Sequence, residues 1–159
     1  MKLNKIVNII NGSTPSTSNP SFWDGDIYWI TPKDMSLLRS RYISSGNRNI
    51  SKLGYDSCST TLVPAGTVLL TSRAPIGYVA IANNSLCTNQ GFKSMVCNES
   101  FIKPQYLYYW IFKNKEYLES IAGGSTFKEL SKEQLGNIDI ELPSLNIQQH
   151  IVNIQRRYR

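Results

Sequence analysis

The chain has 159 residues, of which 41% are hydrophobic, and its 17 lysine and arginine side chains outnumber 11 acidic ones to give a net charge of +6. This length is typical of one domain with a buried core, and the basic balance favours a polyanionic partner, nucleic acid before an anionic membrane. No apolar run approaches the roughly 20 residues that cross a bilayer, and the three cysteines suit neither a disulfide framework nor a zinc site, which indicates a cytoplasmic protein.

In the first thirty residues, short apolar stretches alternate with polar loops and turns. Leu3–Ile10 is a short apolar element whose pattern fits a helix or a strand. The glycine, proline, serine and threonine of residues 11–20 predict a loop. A turn is expected at Phe22–Asp26, and the alternation over Asp26–Thr31 predicts a strand.

The densest positive charge lies in the next segment, Thr31–Asp56. Its cations are Lys33, Arg39, Arg41, Arg48 and Lys52, which face one acid, Asp34, before Asp56 ends the segment. Long cations contact phosphates, and arginine, asparagine and serine can pair with base edges in a groove. The segment is therefore a candidate nucleic-acid-contacting region, with a solvated basic loop as the alternative.

The densest β-branched and apolar run follows, over residues 62–95. Strands are predicted at residues 67–71, 78–82 and 92–97, with turns where proline, glycine and asparagine cluster between them. We interpret this run as a β-meander at the centre of the domain. Its loops carry the polar and cationic residues Ser72, Arg73, Asn89, Gln90 and Lys93.

Helical signals dominate the rest of the chain. Apolar residues at helical spacing predict an amphipathic helix over Ile102–Ala122, which a glycine pair ends. A polar loop with Ser125, Thr126 and Lys128 comes next. The capping-box spacing of Ser131 and Gln134 predicts a second, short helix, and the alternation of residues 137–142 predicts a strand.

Residues 144–159 predict a helix of a different kind. Ile147, Ile151, Ile154 and Tyr158 are separated by steps of four, three and four, which is the a/d seam of a coiled coil. A helix this short is marginal alone, so we expect it to need a partner.

The sequence lacks the constellations that carry catalysis. No acidic residue stands two positions before a lysine, no Asn/Asp-Pro-Pro-aromatic run is present, and His150 is the single histidine. These absences argue against a common metal-dependent nuclease site, an amino-methyltransferase pocket and a histidine-based triad. We therefore expect a binding module with no catalytic residue, metal site or cofactor.

Several motifs occur together along nearly the whole chain. They are NGSTPS at 11–16, WDGDIYWITPKD at 23–34, LVPAGTVLLTSRAPIGYVAIA at 62–82, TNQGFKSM at 88–95, PQYLYYWI at 104–111, GSTFKELSKEQLGNIDIELPSL at 124–145 and QQHIV at 148–152. In this order they resemble the target recognition domain of the specificity subunit in type I restriction–modification systems.

The resemblance implies an α+β fold, a mostly antiparallel β-sheet recognition domain with a few helices at residues 1–143, followed by the start of a dimerisation or spacer coiled-coil helix at 144–159. It implies sequence-specific binding of double-stranded DNA, reading one half of a split target. Methyltransferase subunits, and indirectly a restriction subunit, would supply the chemistry. A homodimer could form through Ile147, Ile151, Ile154 and Tyr158. The alternative is a protein–protein module that binds methyltransferase subunits without reading DNA.

The resemblance also divides the expected DNA contacts into two groups. Residues 71–74 and 124–126 belong to the family's shared framework and suit phosphate contact or folding, so bases should be read from Thr31–Asp56. The expected DNA-binding residues are Lys33, Arg39, Arg41, Arg48, Lys52, Ser72, Arg73, Asn89, Gln90, Lys93, Ser125, Thr126 and Lys128.

Overall fold

Two β-sheets and six α-helices form residues 1–157, the part of the chain that the computed structural model describes. The strands are β1 (Val7–Asn11), β2 (Trp23–Ile30), β3 (Tyr42–Ile43), β4 (Arg48–Ile50), β5 (Val68–Thr71), β6 (Val79–Ala82), β7 (Cys87–Thr88) and β8 (Phe92–Cys97). The helices are α1 (Pro32–Ser36), α2 (Lys52–Ser57), α3 (Pro104–Lys113), α4 (Lys115–Ile121), α5 (Lys132–Gly136) and α6 (Leu145–Arg157), and short 3-10 turns occupy Leu3–Lys5 and Pro20–Phe22. The α+β prediction is confirmed.

The larger sheet has the strand order β1-β8-β5-β6-β3 and is antiparallel except where β3 runs parallel to β6. Its central strand β5 is buried on both faces, because Val68 and Leu70 enter the core formed with the helices while Leu69 enters a second core with Ile30 and Phe92. The three predicted strands exist, but the meander is wrong. Strand β8 pairs with β5 and not with β6, because the chain first crosses to the other sheet through β7.

The smaller sheet has the order β4-β2-β7. The turn predicted at Phe22–Asp26 is instead mostly part of β2, which carries a bulge, since Trp23 and Ile27 both lie opposite Ile50. Asp24 takes a φ of +63° there, and a Cβ on Gly25 would lie 2.4 Å from the Ser51 Cα. The Asp-Gly pair therefore allows the bulge rather than ending the strand.

The helix predicted over Ile102–Ala122 is divided into α3 and α4 at Asn114. The Asn114 side-chain amide donates to the Trp110 carbonyl at 2.7 Å, which competes with continuation of the helix. The capping box of α5 is confirmed, since the Gln134 N–H donates to Ser131 Oγ at 3.0 Å and the Ser131 N–H donates to Gln134 Oε1 at 2.9 Å.

No strand forms at residues 137–142 in the described structure, although the alternation there is real. Ile138 and Ile140 are buried and their neighbours are exposed. The ladder contact of this segment is an isolated bridge between Lys2 and Asp139. The N-terminal residues that lie alongside turn away after Leu3 into a 3-10 turn, so the pairing is too short to make a strand.

Helix α6 packs on the domain through a face that differs from the predicted seam. Gln148 and Val152 are buried, while Ile147 is 52% and Ile154 38% exposed and Ile151 lies at the boundary. Tyr158, the last seam residue, lies outside the described residues.

Gln148 anchors this helix with three hydrogen bonds. Its Oε1 accepts from the Lys103 N–H at 2.9 Å, and its Nε2 donates to the carbonyls of Phe101 and Pro143 at 2.8 and 2.9 Å. A single buried amide therefore ties α6 to the loop before α3.

Replacing this anchor gives a test of the packing. We expect Gln148→Ala to lower the free energy of unfolding by about 2–4 kcal/mol, because it leaves one donor and two acceptors unpaired at a buried site. Gln149→Ala is the matched control, since Gln149 bonds to Asn153 at an exposed position and its removal should cost less than about 0.5 kcal/mol. Urea unfolding of the two variants measures the difference, and equal destabilisation would contradict the assignment.

Candidate nucleic-acid interface

The ends of the two sheets meet at one edge of the molecule. Strand register places Asn11 opposite Lys93 and Thr71 opposite Phe92, so β1 and β5 finish where β8 begins. In the smaller sheet Ile30 lies opposite Thr88, and only residues 89–91 separate the end of β7 from the start of β8. Loops that are far apart in sequence therefore gather at this end, which we call the loop edge: residues 12–14, 31–41, 47–48, 72–77, 89–93 and 123–129.

Backbone hydrogen bonds hold these loops against one another. They join the N–H of Ser13 to the carbonyl of Thr88, Asn89 to Ile30, Ser72 to Gly91 and Leu130 to Ser72, with N···O distances from 2.8 to 3.0 Å. Main-chain bonds do not depend on the side chains that project from the loops. The exposed side chains are thus presented on a fixed frame.

Asp34 organises the basic segment from within. Its Oδ2 accepts from the Thr31 N–H at 2.9 Å and from Thr31 Oγ1 at 3.0 Å, and its Oδ1 accepts from the Asn47 N–H at 3.0 Å. A Cβ on Gly46 would lie 2.3 Å from this carboxylate, so glycine permits the close approach. The acid of the segment is engaged in capping and leaves the exposed Lys33 and Arg48 without an acidic partner among the described ion pairs.

Lys33 and Arg48 line one cleft of about 300 Å³ at the loop edge. The Arg48 guanidinium carbon lies 3.9 Å from the centroid of the Trp23 ring, which fixes the side chain by stacking and cation–π attraction. The Trp23 indole N–H in turn donates to the Ser16 carbonyl at 3.0 Å. Arg48 is therefore held in place before any ligand binds.

Arg39 and Arg41 line a second cleft of about 490 Å³. The Arg41 guanidinium carbon lies 5.9 Å from the Tyr109 ring centroid. Because β3 runs parallel to β6, the residues before Tyr42 lead back toward the start of β6, where Val79 pairs with Leu70. Both arginines thus approach the loop edge from the side of β6.

Arg73 and Lys93 share one carboxylate. Glu129 Oε2 lies 3.2 Å from Arg73 Nε and 3.6 Å from Lys93 Nζ, and Lys93 Nζ donates to Ser72 Oγ at 3.4 Å. Arg73 is exposed, but Ser72 and Lys93 are buried. Burial lowers the pKa of Lys93, against an opposing effect of Glu129. Ser72 and Lys93 are therefore buried beneath the loop edge, unlike the exposed Arg73, and their contact with DNA stays a prediction.

The loop from Gly123 to Glu129 stands on this ion-pair cluster. The Gly123 N–H donates to the Glu129 carbonyl at 3.1 Å and the Glu129 N–H donates to the Gly123 carbonyl at 2.9 Å, which closes the base of the loop. Ser125, Thr126 and Lys128 are exposed above it. Phe127, also exposed there, is absent from the residues predicted from the sequence; a lone aromatic residue inside a polar loop is the signal that could have indicated it.

The remaining predicted residues fall into two places. Asn89 Oδ1 accepts from the Gly91 N–H at 2.9 Å and shapes the turn, and the exposed Gln90 accepts a hydrogen bond from the Thr14 hydroxyl. Both lie at the loop edge. Lys52 lies beyond the far end of β4 and pairs with Asp56 at 2.9 Å, so the structure does not bring it to the other cations.

Two negative findings bear on the kind of site. Within residues 1–157, no three His, Cys, Asp or Glu side chains are grouped so that they could hold a metal ion. None of the helices in that same range has the length and apolar character needed to span a membrane.

The buried Lys93 gives a pH-dependent test of the cluster. Because its pKa is lowered from 10.5 in the folded chain, the unfolded chain binds the proton more tightly, and stability rises with pH through the interval between the lowered pKa and 10.5. We expect the stability of the wild type relative to Lys93→Met to increase as pH is raised through that interval. Urea unfolding at successive pH values measures it, with the exposed Lys128→Met as control. A wild-type advantage that does not change with pH would contradict the burial of the Lys93 ammonium, which is the cause of its lowered pKa.

The chain matches the family described as "Type I restriction modification DNA specificity domain" over residues 1–159. It is 49% identical over 156 residues to the type I restriction enzyme MjaIX specificity subunit of Methanocaldococcus jannaschii, covering 96% of this chain but 36% of that protein. It is 28% identical to the EcoprrI specificity subunit of Escherichia coli, covering 99% of this chain and 41% of that protein.

The fold has a match among solved structures. The crystal structure of the HsdS subunit from Thermoanaerobacter tengcongensis superposes with a TM-score of 0.76 at 22% identity, over 99% of this chain and 36% of that one. The chain thus spans between 36% and 41% of the length of these three proteins, and nearly all of it is covered by each match. It belongs to the family of type I restriction–modification DNA specificity domains.

Proposed function

We propose that this chain binds double-stranded DNA sequence-specifically and reads one half of a split target, as a non-catalytic specificity component of a type I restriction–modification system. The observation that carries the proposal is the loop edge, where cations from four separate stretches of sequence gather on a hydrogen-bonded frame. Membership of a DNA specificity family supports it. Such a reader would act in the cytoplasm, where its DNA is.

The exposed side chains divide by how firmly they are held. Arg48, stacked on Trp23, and Arg41, above Tyr109, are partly immobilised, which suits bidentate contact with base edges. Lys33, Arg39, Arg73 and Lys128 suit phosphate contact, with Ser125 and Thr126 as hydroxyl donors. Asn89 and Gln90 present amides at the centre of the edge. Lys52 has the weakest support, because it is paired and distant.

The chemistry would come from companion subunits. We propose that methyltransferase subunits dock on this protein and that a restriction subunit joins through them. Residues 1–143 would form the recognition domain and residues 144–159 the start of the spacer helix. Ile147 and Ile154 are exposed on one side of α6, with Ile151 between them, which supports a helical partner there, including a second copy of the chain. Tyr158, outside the described residues, stays a prediction from the sequence for this seam.

The alternative is a module that binds methyltransferase subunits through α6 without touching DNA. The exposure of Ile147 and Ile154 is the observation that favours this alternative. Salt dependence separates the two functions. Neutralising phosphates gives a steep fall of affinity with salt, and an apolar protein interface does not.

Selection of duplexes from a random pool by the purified chain, with and without methyltransferase subunits, tests the proposal. Enrichment of one motif supports it, and recovery of unselected sequences overturns it.

The cleft cations provide a sharper test. We expect Lys33→Ala/Arg48→Ala to weaken duplex binding and to reduce the slope of log affinity against log salt by about 0.9 for each phosphate that is no longer neutralised. Titrations from low to moderate salt measure both quantities. Lys5→Ala is the matched control, because Lys5 is an exposed cation that precedes β1 at the end remote from Asn11. Equal salt slopes for the double variant and the wild type would remove the cleft from the interface.

A further inference from the structure

Phe127 is the most exposed of the large apolar side chains in the described part of the chain, with 87% of its surface accessible. Leaving a phenyl ring in water forgoes the stabilisation that burial normally gives, and Phe127 belongs to none of the three hydrophobic core clusters. A ring so placed contributes little to this fold. We therefore expect the ring to contact a binding partner.

The loop holds the ring outward. Its base is closed by the paired main-chain bonds between Gly123 and Glu129, and the next residue, Leu130, is buried and bonded to Ser72. Gly124 takes a φ of +97°, and a Cβ on it would lie 2.6 Å from the Phe127 carbonyl oxygen. The chain thus turns tightly just before the ring, and the side chain projects from an anchored base.

The surroundings of the ring define the chemistry of its partner. Arg73, Phe127 and Lys128 line one open cavity of about 410 Å³, together with Ala74 and Glu129. Glu129 is occupied by Arg73 and Lys93, so Lys128 and the free side of Arg73 remain for anions. The partner must offer a flat apolar surface within a few ångströms of negative charges. A DNA duplex does so, since bases and deoxyriboses lie between phosphates.

We propose, on the basis of the proposed function, that Phe127 is an apolar anchor that packs against a base or deoxyribose in a groove of the duplex, while Arg73 and Lys128 contact the flanking phosphates. Inserted phenylalanine side chains are a known means of gripping a duplex at a base step. The anchor adds affinity that does not depend on charge. It also fixes the height at which the loop edge sits over the groove.

Affinity and salt slope together test this role. We expect Phe127→Ala to weaken duplex binding about 10-fold, the effect of removing one aromatic side chain that stacks on a base, and to leave the salt slope unchanged because no charge is removed. Arg73→Ala and Lys128→Ala should each reduce the slope. Phe101→Ala is the matched control, since Phe101 is 46% exposed but follows the opposite end of β8. Because Phe127 is so exposed, the urea midpoint of its variant should equal that of the wild type.

A fluorescence measurement identifies what the ring touches. The fluorescence of the introduced indole in Phe127→Trp is obtained as the difference between the spectra of the variant and the wild type. Duplex DNA should quench this fluorescence and shield the indole from acrylamide, and it should do neither for Phe101→Trp. Phosphatidylcholine–phosphatidylserine vesicles serve as the second probe, and shielding by vesicles without shielding by DNA would overturn the proposal. If the wild type selects a motif but Phe127→Ala binds equally well, this inference falls and the proposed function stands. If the wild type binds no duplex, both fall.

Discussion

The three-residue connection between β7 and β8 is the constraint on which the arrangement depends. It joins strands of different sheets. The end of the smaller sheet at which β7 finishes must therefore lie beside the end of the larger sheet at which β8 begins. Gly91 within it accepts a hydrogen bond from the Ser72 N–H at 2.9 Å, and a Cβ there would lie 3.1 Å from both the Asn89 side chain and Pro32. This short link therefore keeps the loops of the two sheets that carry the cations close together.

Gathering cations at one edge raises their mutual repulsion, and the fold offsets this with the half-buried carboxylates of Asp34 and Glu129. Asp34 caps its own helix and holds the Asn47 backbone, while Glu129 joins Lys93 and Arg73. Both acids are engaged within the protein, so they order the loops. The outer side chains remain positive and partly fixed, which lowers the ordering cost of binding an anionic ligand.

Local signals in the sequence predicted local structure well. The strands near residues 68–71, 79–82 and 92–97 and the α5 capping box are set by neighbouring residues, and the structure confirms them. Strand order could not be predicted, because the excursion through β7 depends on a pairing with β2 that no local pattern records. The burial of Lys93 was foreseeable: it shares a strand face with Met95, a core residue. The convergence of Arg48 with Lys33 was not, since it rests on the pairing of Arg48 with Trp29 and on the hydrogen bond from the Asn47 N–H to Asp34.

The predicted heptad seam of α6 lies beside the face through which this helix docks on its own domain, and its role as a partner-binding face stays a prediction. Gln148 and Val152, each one position after a seam isoleucine, dock on the domain, and a one-residue step rotates the face by about 100°. Docking therefore decides where Ile147 and Ile154 point. The anchor of Gln148 is the segment from Phe101 to Lys103, which follows β8. Strand β8 thus runs from the loop edge at one end to the support of α6 at the other, and its pairing with β1 and β5 on both sides holds the angle between them. Under the proposed function, that angle sets where companions bound along the helix lie relative to the bases being read.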